Sequence, residues 1–123
     1  MSDGTSETDQ RFPKSARLLH RSEYLRAQRD GRRFQTPRLT ILSVANSLER
    51  TRLGVTVSRK VGNSVTRSGV KRRIREIFRT NKSRWPAGVD MVVIAREPAS
   101  RSEFAALAAD LFAWSERASR PGR

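Results

Sequence analysis

Between Arg59 and Arg84 ten residues are Lys or Arg and only Glu76 is acidic, so this stretch carries nine of the chain's fourteen net positive charges. Arg59, Lys60 and Asn63 stand in a loop around Gly62, and Arg67, Lys71, Arg72, Arg75 and Arg79 follow at helical spacing. The chemistry open to such a group is the neutralisation of a polyanion. A planar guanidinium grips two phosphate oxygens at once and stacks on a base, which suits RNA better than a compact ammonium does. Of the 26 basic residues 22 are Arg. A GC-rich genome would also favour Arg over Lys, but it would not cluster the charges. A face that merely keeps a helix solvated usually mixes signs, and this one does not.

Proton-transfer and nucleophilic chemistry have little to work with. His20 is the only histidine, and in its basic surroundings it reads as a surface residue or an RNA contact. The absence of cysteine removes disulfides, thiolate metal sites and thiol nucleophiles, and fits a cytoplasmic protein. No Ser/His/Asp set, HExxH or Walker loop is present. Asp90 and Glu97 flank one predicted strand at odd separation, which favours opposite faces and argues against a paired-carboxylate site. No catalytic residue, metal site or firmly bound cofactor is therefore expected on the chain. If it takes part in hydrolysis, the chemistry should reside elsewhere.

The elements that must position these cations follow from periodicity. With 123 residues, one core is expected. Hydrophobic residues make up 36% and are gathered in short blocks. Residues 1–11 and 119–123 read as disordered polar tails around a single domain over 12–118. The first ten residues lack the positive start and apolar core of a secretory signal, and no apolar run approaches the roughly 20 residues of a membrane span. A short helix is predicted over Ser22 to Asp30, with Gly31 as a left-handed stop. Arg38 to Asn46 and Arg52 to Ser58 read as strands, joined by a link short enough for an antiparallel hairpin.

The main helix is predicted over Val65 to Asn81. Val70, Ile74, Ile77 and Phe78 form one stripe, with Lys71, Arg72, Arg75 and Arg79 away from it. Met91 to Ala95 is apolar throughout, as expected of a strand buried on both faces and central in its sheet. Ser100 and Glu103 have capping-box spacing, and Phe104, Leu107, Ala108, Leu111 and Ser115 continue as a final helix ending near Ala118. Phe78, Phe104 and Phe112 read as core. The expected fold is a small two-layer α+β sandwich, with a mainly antiparallel sheet of about four strands and helices packed chiefly on one face.

A pI near 11.8 selects nucleic acid first and anionic membrane second as partner. A DNA-reading helix is disfavoured, since no helix-turn-helix pair precedes the segment and its basic face carries no Asn or Gln between Arg67 and Arg79. The run from Lys60 to Arg67 (KVGNSVTR), continued by Lys71 to Arg79 (KRRIREIFR), resembles the signature of the protein subunit of bacterial ribonuclease P. The order of elements over roughly residues 12–118 is similar to that family as well. One departure is plain: Ser68 and Gly69 stand where the family usually has Asn and Arg after Arg67, which weakens any contact assigned to those two positions. Gly69 also costs helix stability, up to about 1 kcal/mol relative to Ala, and favours a later helix start.

The resemblance implies a left-handed crossover holding the basic helix, against the usual rule. It also implies an accessory subunit, a one-to-one complex of a protein monomer with the catalytic RNA, and assistance in endonucleolytic 5′ maturation of tRNA. Catalysis would belong to the RNA subunit with Mg2+. By the same resemblance Arg59, Lys60, Asn63, Arg67, Lys71, Arg72, Arg75 and Arg79 bind RNA. Tyr24 and Phe34 then become candidates for a cleft that stacks the unpaired 5′ leader of precursor tRNA, although both rings could equally be core. Gln28 stands where a second ring is common. A generic ribosome-associated or structured-RNA-binding protein without a nuclease role would share the charge and fold class. A peripheral membrane protein would need an apolar face beside the cations, and the basic helix turns its apolar face to the core.

Overall fold

The structure, a computed structural model, describes residues 12–118; the two tails read from the sequence lie outside these residues. Its centre is the strand Val89–Ala95, which we label β4, where Met91, Val92 and Val93 are fully buried. A strand apolar on both sides gains most from a place with neighbours on each edge. It has them: β2 (Leu39–Ala45) pairs with it antiparallel, and β3 (Arg52–Val57) pairs with it parallel. A fourth strand, β1 (Arg32–Gln35), adds antiparallel to β2, giving the order β1-β2-β4-β3.

The expected hairpin between β2 and β3 is therefore not formed. Their short link instead turns the chain so that β4 slots between them. Ser47 takes a positive φ of 61° in that link, and Gly88 takes 75° where the chain re-enters the sheet. β1 was not legible as a strand, because Arg32, Arg33 and Gln35 are exposed and only Phe34 faces the interior.

Alternation along the strands assigns the two faces. Leu39, Ile41, Leu53, Val55, Val57, Met91 and Val93 turn to one side, where α2 (Ser64–Thr80) and α3 (Phe104–Ala118) cover them with Val70, Ile74, Ile77, Phe78, Leu107, Leu111 and Trp114. Leu42 and Val92 turn to the other side, where α1 (Arg21–Asp30) lays Ala27 and the flank of Tyr24 on them. Two helices thus share one face, as expected of the α+β sandwich, and α1 alone occupies the other. α2 is the crossover between the parallel strands β3 and β4. Ile74 is fully buried, so its truncation to Ala would cost about 2–5 kcal/mol.

Local signals were partly overruled. α1 starts at Arg21 with His20 as its cap residue, and Glu23 reaches back to the His20 and Leu19 amides at 3.0 Å each. Gly31 is extended, with φ −80°, and not left-handed. The capping box of Ser100 and Glu103 does not form: Ser100 sits in the 3-10 turn Glu97–Arg101 and donates to the Glu97 carbonyl at 2.9 Å. Phe104 is 44% exposed instead of buried. Gly69 does not delay α2, because the Asn63 side chain accepts from the Thr66 amide at 2.9 Å and fixes the first turn six residues earlier. Among the described residues no helix is long and apolar enough to cross a membrane.

A buried polar cluster braces the α1 side of the sheet. Asp90 accepts from Arg52 Nε at 2.8 Å and Nη2 at 2.7 Å, and from Asn46 Nδ2 at 2.9 Å. Arg52 Nη1 donates in turn to Glu23 at 3.0 Å. This chain of bonds ties the first turn of α1 to the start of β3 and β4. Burial would raise the Asp90 pKa, but the bonds from Arg52 and Asn46 outweigh it and hold the carboxyl below its usual range. At Glu23 burial is likewise overcome, by the bonds from His20 and Leu19 and the Arg52 charge.

Candidate nucleic-acid interface

α2 is driven onto the core by its apolar stripe, and that packing decides where its cations go. Arg72 and Arg75 are exposed on the outer side, while Lys71 is half-buried on the flank. Arg67 lies closer to the packed side than the sequence pattern suggested, and its Nε donates to the Gly62 carbonyl at 3.1 Å. It therefore pins the loop that precedes the helix. Arg79 forms an ion pair with Glu76 at 2.6 Å. The Arg79 hydrogen bond holds Glu76 below the usual carboxylate range and raises Arg79 in return. Part of the Arg79 charge is thus spent within the helix. Asn63 is exposed and uses its side-chain oxygen as the cap, leaving its amide N–H groups outward. Arg59 and Lys60 are exposed in the turn between β3 and α2. The turn that leaves the outer strand β3 and the helix after it thus present Arg59, Lys60, Asn63, Arg72 and Arg75 to solvent, with Arg67, Lys71 and Arg79 half-buried.

Tyr24 approaches the same edge from the opposite face of the sheet. Its ring lies on Gly54 of β3 so closely that a Cβ there would stand 2.7 Å from the ring. A side chain at that position would exclude the ring. The hydroxyl reaches the Leu18 carbonyl at a long 3.4 Å. Burial raises the pKa of the phenol above the usual 10.0, opposed by the Arg75 charge. Beside the ring runs a groove of about 410 Å³ lined by Arg21, Tyr24, Leu25, Gln28 and Thr56. It offers one aromatic face, one apolar side chain and one cation, a composition suited to an unpaired base and its phosphate.

Phe34 is not part of this groove. It pairs with Ile41 in the register of β1 and β2, and so faces the side of the sheet covered by α2 and α3. Tyr24 and Phe34 lie on opposite faces and cannot line one cleft. The sequence reading treated both rings as one platform because β1, and hence the direction of Phe34, was not visible in it. Arg21, Leu25, Thr56 and Gly54 were missed. Arg21, Tyr24, Leu25 and Gln28 fall on one face at helical spacing, and a glycine inside a strictly alternating strand signals a close approach; together these would have found the groove.

Among the described residues no group of three or more His, Cys, Asp or Glu side chains could hold a metal ion. His20 is exposed at the start of α1, where its backbone bonds to Glu23. Asp90 is committed to Arg52 and Asn46. The arrangement can bind and orient a polyanion.

The chain is similar to known proteins over nearly all of the described residues. The family model described as Ribonuclease P matches residues 12–119. The ribonuclease P protein component of Syntrophus aciditrophicus is 42% identical over 98 residues, covering 80% of this chain and 82% of the relative. That of Citrifermentans bemidjiense is 38% identical over 106 residues, covering 86% and 90%. Among solved structures, the RNase P protein of Staphylococcus aureus superposes with a TM-score of 0.78 at 30% identity, over 86% of this chain and 97% of that one. The RNase P protein of Thermotoga maritima gives 0.77 at 35% identity, over 82% and 96%.

Proposed function

Because the chain belongs to the bacterial ribonuclease P protein family, we propose that its basic loop and helix hold the catalytic RNA and that the α1 groove holds the 5′ leader of precursor tRNA. It is the accessory subunit of an endoribonuclease that matures the 5′ end of tRNA, and it binds RNA. Hydrolysis is left to the RNA subunit and the Mg2+ that the RNA requires. The protein contributes charge and shape. Cations along the β3 edge offset the repulsion between two polyanions. The Tyr24 ring stacks a leader base, and Arg59 and Lys60 track its phosphates. We place the protein in the cytoplasm, as a monomer in a one-to-one complex with its RNA.

The observation that carries this reading is the meeting, at one sheet edge, of a predominantly basic loop and helix and a groove floored by an aromatic ring. Tyr24→Ala tests it. Affinity for precursor tRNA should fall by about 1–3 kcal/mol, the range of one lost base stack, while affinity for mature tRNA stays unchanged. Equal losses on both substrates would show that the ring is structural.

A further inference from the structure

A second groove, of about 760 Å³, lies at the other edge of the sheet, between β1 and the last turn of α3. Asp30, Arg32, Arg33, Phe34, Trp114 and Arg117 line it. We propose that this groove binds an unpaired segment of the catalytic RNA, one base stacking on Phe34 with its phosphates held by Arg32 and Arg117. This rests on the reading of the chain as the RNA subunit's partner and adds a contact away from the basic helix.

Three observations support it. The first is how the arginines are used. Arg17, Arg26, Arg38, Arg50, Arg52 and Arg96 all donate to carbonyls or carboxylates of the fold. Among the described residues Arg32, Arg33 and Arg117 have no hydrogen-bonded or ion-paired partner. The one carboxylate in the groove, Asp30, is paired with Arg29 at 3.2 Å, so Arg32 and Arg117 have no carboxylate partner of their own, while Arg33 alternates with Phe34 and turns to the α1 face. Gathering like charges costs free energy unless an anion meets them.

The second is the ring. Phe34 is only half-buried, and the Arg117 guanidinium lies 5.9 Å from its centroid, at the outer limit of a cation–π contact. The half-exposed ring lines the groove. Trp114, buried to 3% exposure, supplies a rigid wall. An apolar wall with a ring and several guanidiniums is the composition of single-strand binding sites.

The third is position. β1 and β3 are separated by three strand spacings, roughly 14 Å, and Phe34 faces away from the α1 groove. A leader seated beside Tyr24 does not lie on this surface, which is why the catalytic RNA is the occupant and the substrate is not.

The test uses the full chain with its catalytic RNA, measuring affinity and its salt dependence, and then the affinity of each reconstituted complex for precursor and mature tRNA. The variants are Arg32→Ala with Arg117→Ala, and Phe34→Leu, with thermal unfolding as the control for folding. The double variant should weaken RNA-subunit binding at least five-fold and flatten the log–log salt slope by about 1.4, two single-strand contacts at about 0.7 each. Phe34→Leu, which keeps the apolar contact with the core, should weaken binding by roughly five- to 150-fold, the equivalent of one lost stack. Arg117→Lys should restore the slope without the full affinity, since charge returns but the planar fork does not. In every variant the ratio of precursor to mature tRNA affinity should stay that of the unmodified protein.

An unchanged affinity and slope in the folded double variant overturns the proposal. So does a loss confined to leader-bearing substrate, which would assign the groove to the leader. If the unmodified protein fails to bind the RNA subunit, the functional reading itself fails, a separate and recognisable outcome.

Discussion

Gly54→Ala isolates the seat of Tyr24 with one methyl group. The added Cβ would stand 2.7 Å from two ring carbons and 2.8 Å from the phenol oxygen of Tyr24. Carbon atoms pack at about 3.5–4.0 Å, so the ring must withdraw by roughly 0.8–1.3 Å or swing out of the groove. Gly54 pairs with Val92 in the middle of the sheet, so the strand itself cannot give way cheaply. Overpacking of this kind costs about 1–3 kcal/mol of stability. The larger effect should be on binding: affinity for precursor tRNA falls toward the full loss of a stack, about 1–3 kcal/mol, and affinity for mature tRNA holds.

A double-mutant cycle with Tyr24→Ala decides whether the methyl acts through the ring. With the ring gone the methyl has nothing to displace, so Gly54→Ala should then change leader-dependent affinity by less than about 0.5 kcal/mol. The assay is equilibrium binding of the two tRNA forms to the four reconstituted complexes. Unaltered leader discrimination in a folded Gly54→Ala protein would refute the reasoning. An equal loss in the Tyr24→Ala background would refute it as well.

Other outcomes follow from the same geometry. Arg72→Ala and Arg75→Ala should each flatten the salt dependence of RNA binding by about 0.7–0.9 on a log–log scale and leave the melting temperature unchanged, because both side chains are exposed; Arg67→Ala should also loosen the loop at Gly62. Gln28→Phe should tighten precursor tRNA binding relative to mature tRNA, measured by the same pair of affinities, since position 28 lines the groove beside Tyr24. Glu23 and Asp90 are held below their ordinary pKa values of 4.5 and 3.8, so the stability they contribute is complete above that range and is lost as the pH falls through their lower folded values. Acid unfolding of Asp90→Asn should accordingly be less steep, and at neutral pH this variant should be destabilised toward the lower end of about 3–5 kcal/mol, because Arg52 keeps Glu23 as a partner.

The cores of α2 and β4 were legible because their patterns are long and unambiguous: Val70, Ile74, Ile77 and Phe78 repeat at helical spacing, and Met91, Val92 and Val93 are apolar without a break. The basic face was legible for the same reason, since a buried stripe fixes what lies opposite. Strand order was not. The link from Asn46 to Thr51 is compatible with a hairpin, and only competition for the central position, won by β4, excludes it. β1 escaped because its four residues carry a single inward side chain, and with it went the direction of Phe34. Tyr24 was singled out from the sequence, but its environment depends on Gly54, thirty positions away, which local sequence cannot place beside it.

The most direct test of the account is cleavage of a precursor tRNA at low magnesium by the purified protein, by its cognate ribonuclease P RNA, and by the two together. The account predicts no cleavage by the protein alone, little by the RNA alone, and correct 5′ cleavage by the mixture, with the gain reduced in Arg72→Ala and Arg75→Ala. Cleavage at the correct site by the protein alone, abolished by His20→Ala, would contradict it, as would a mixture no more active than the RNA by itself.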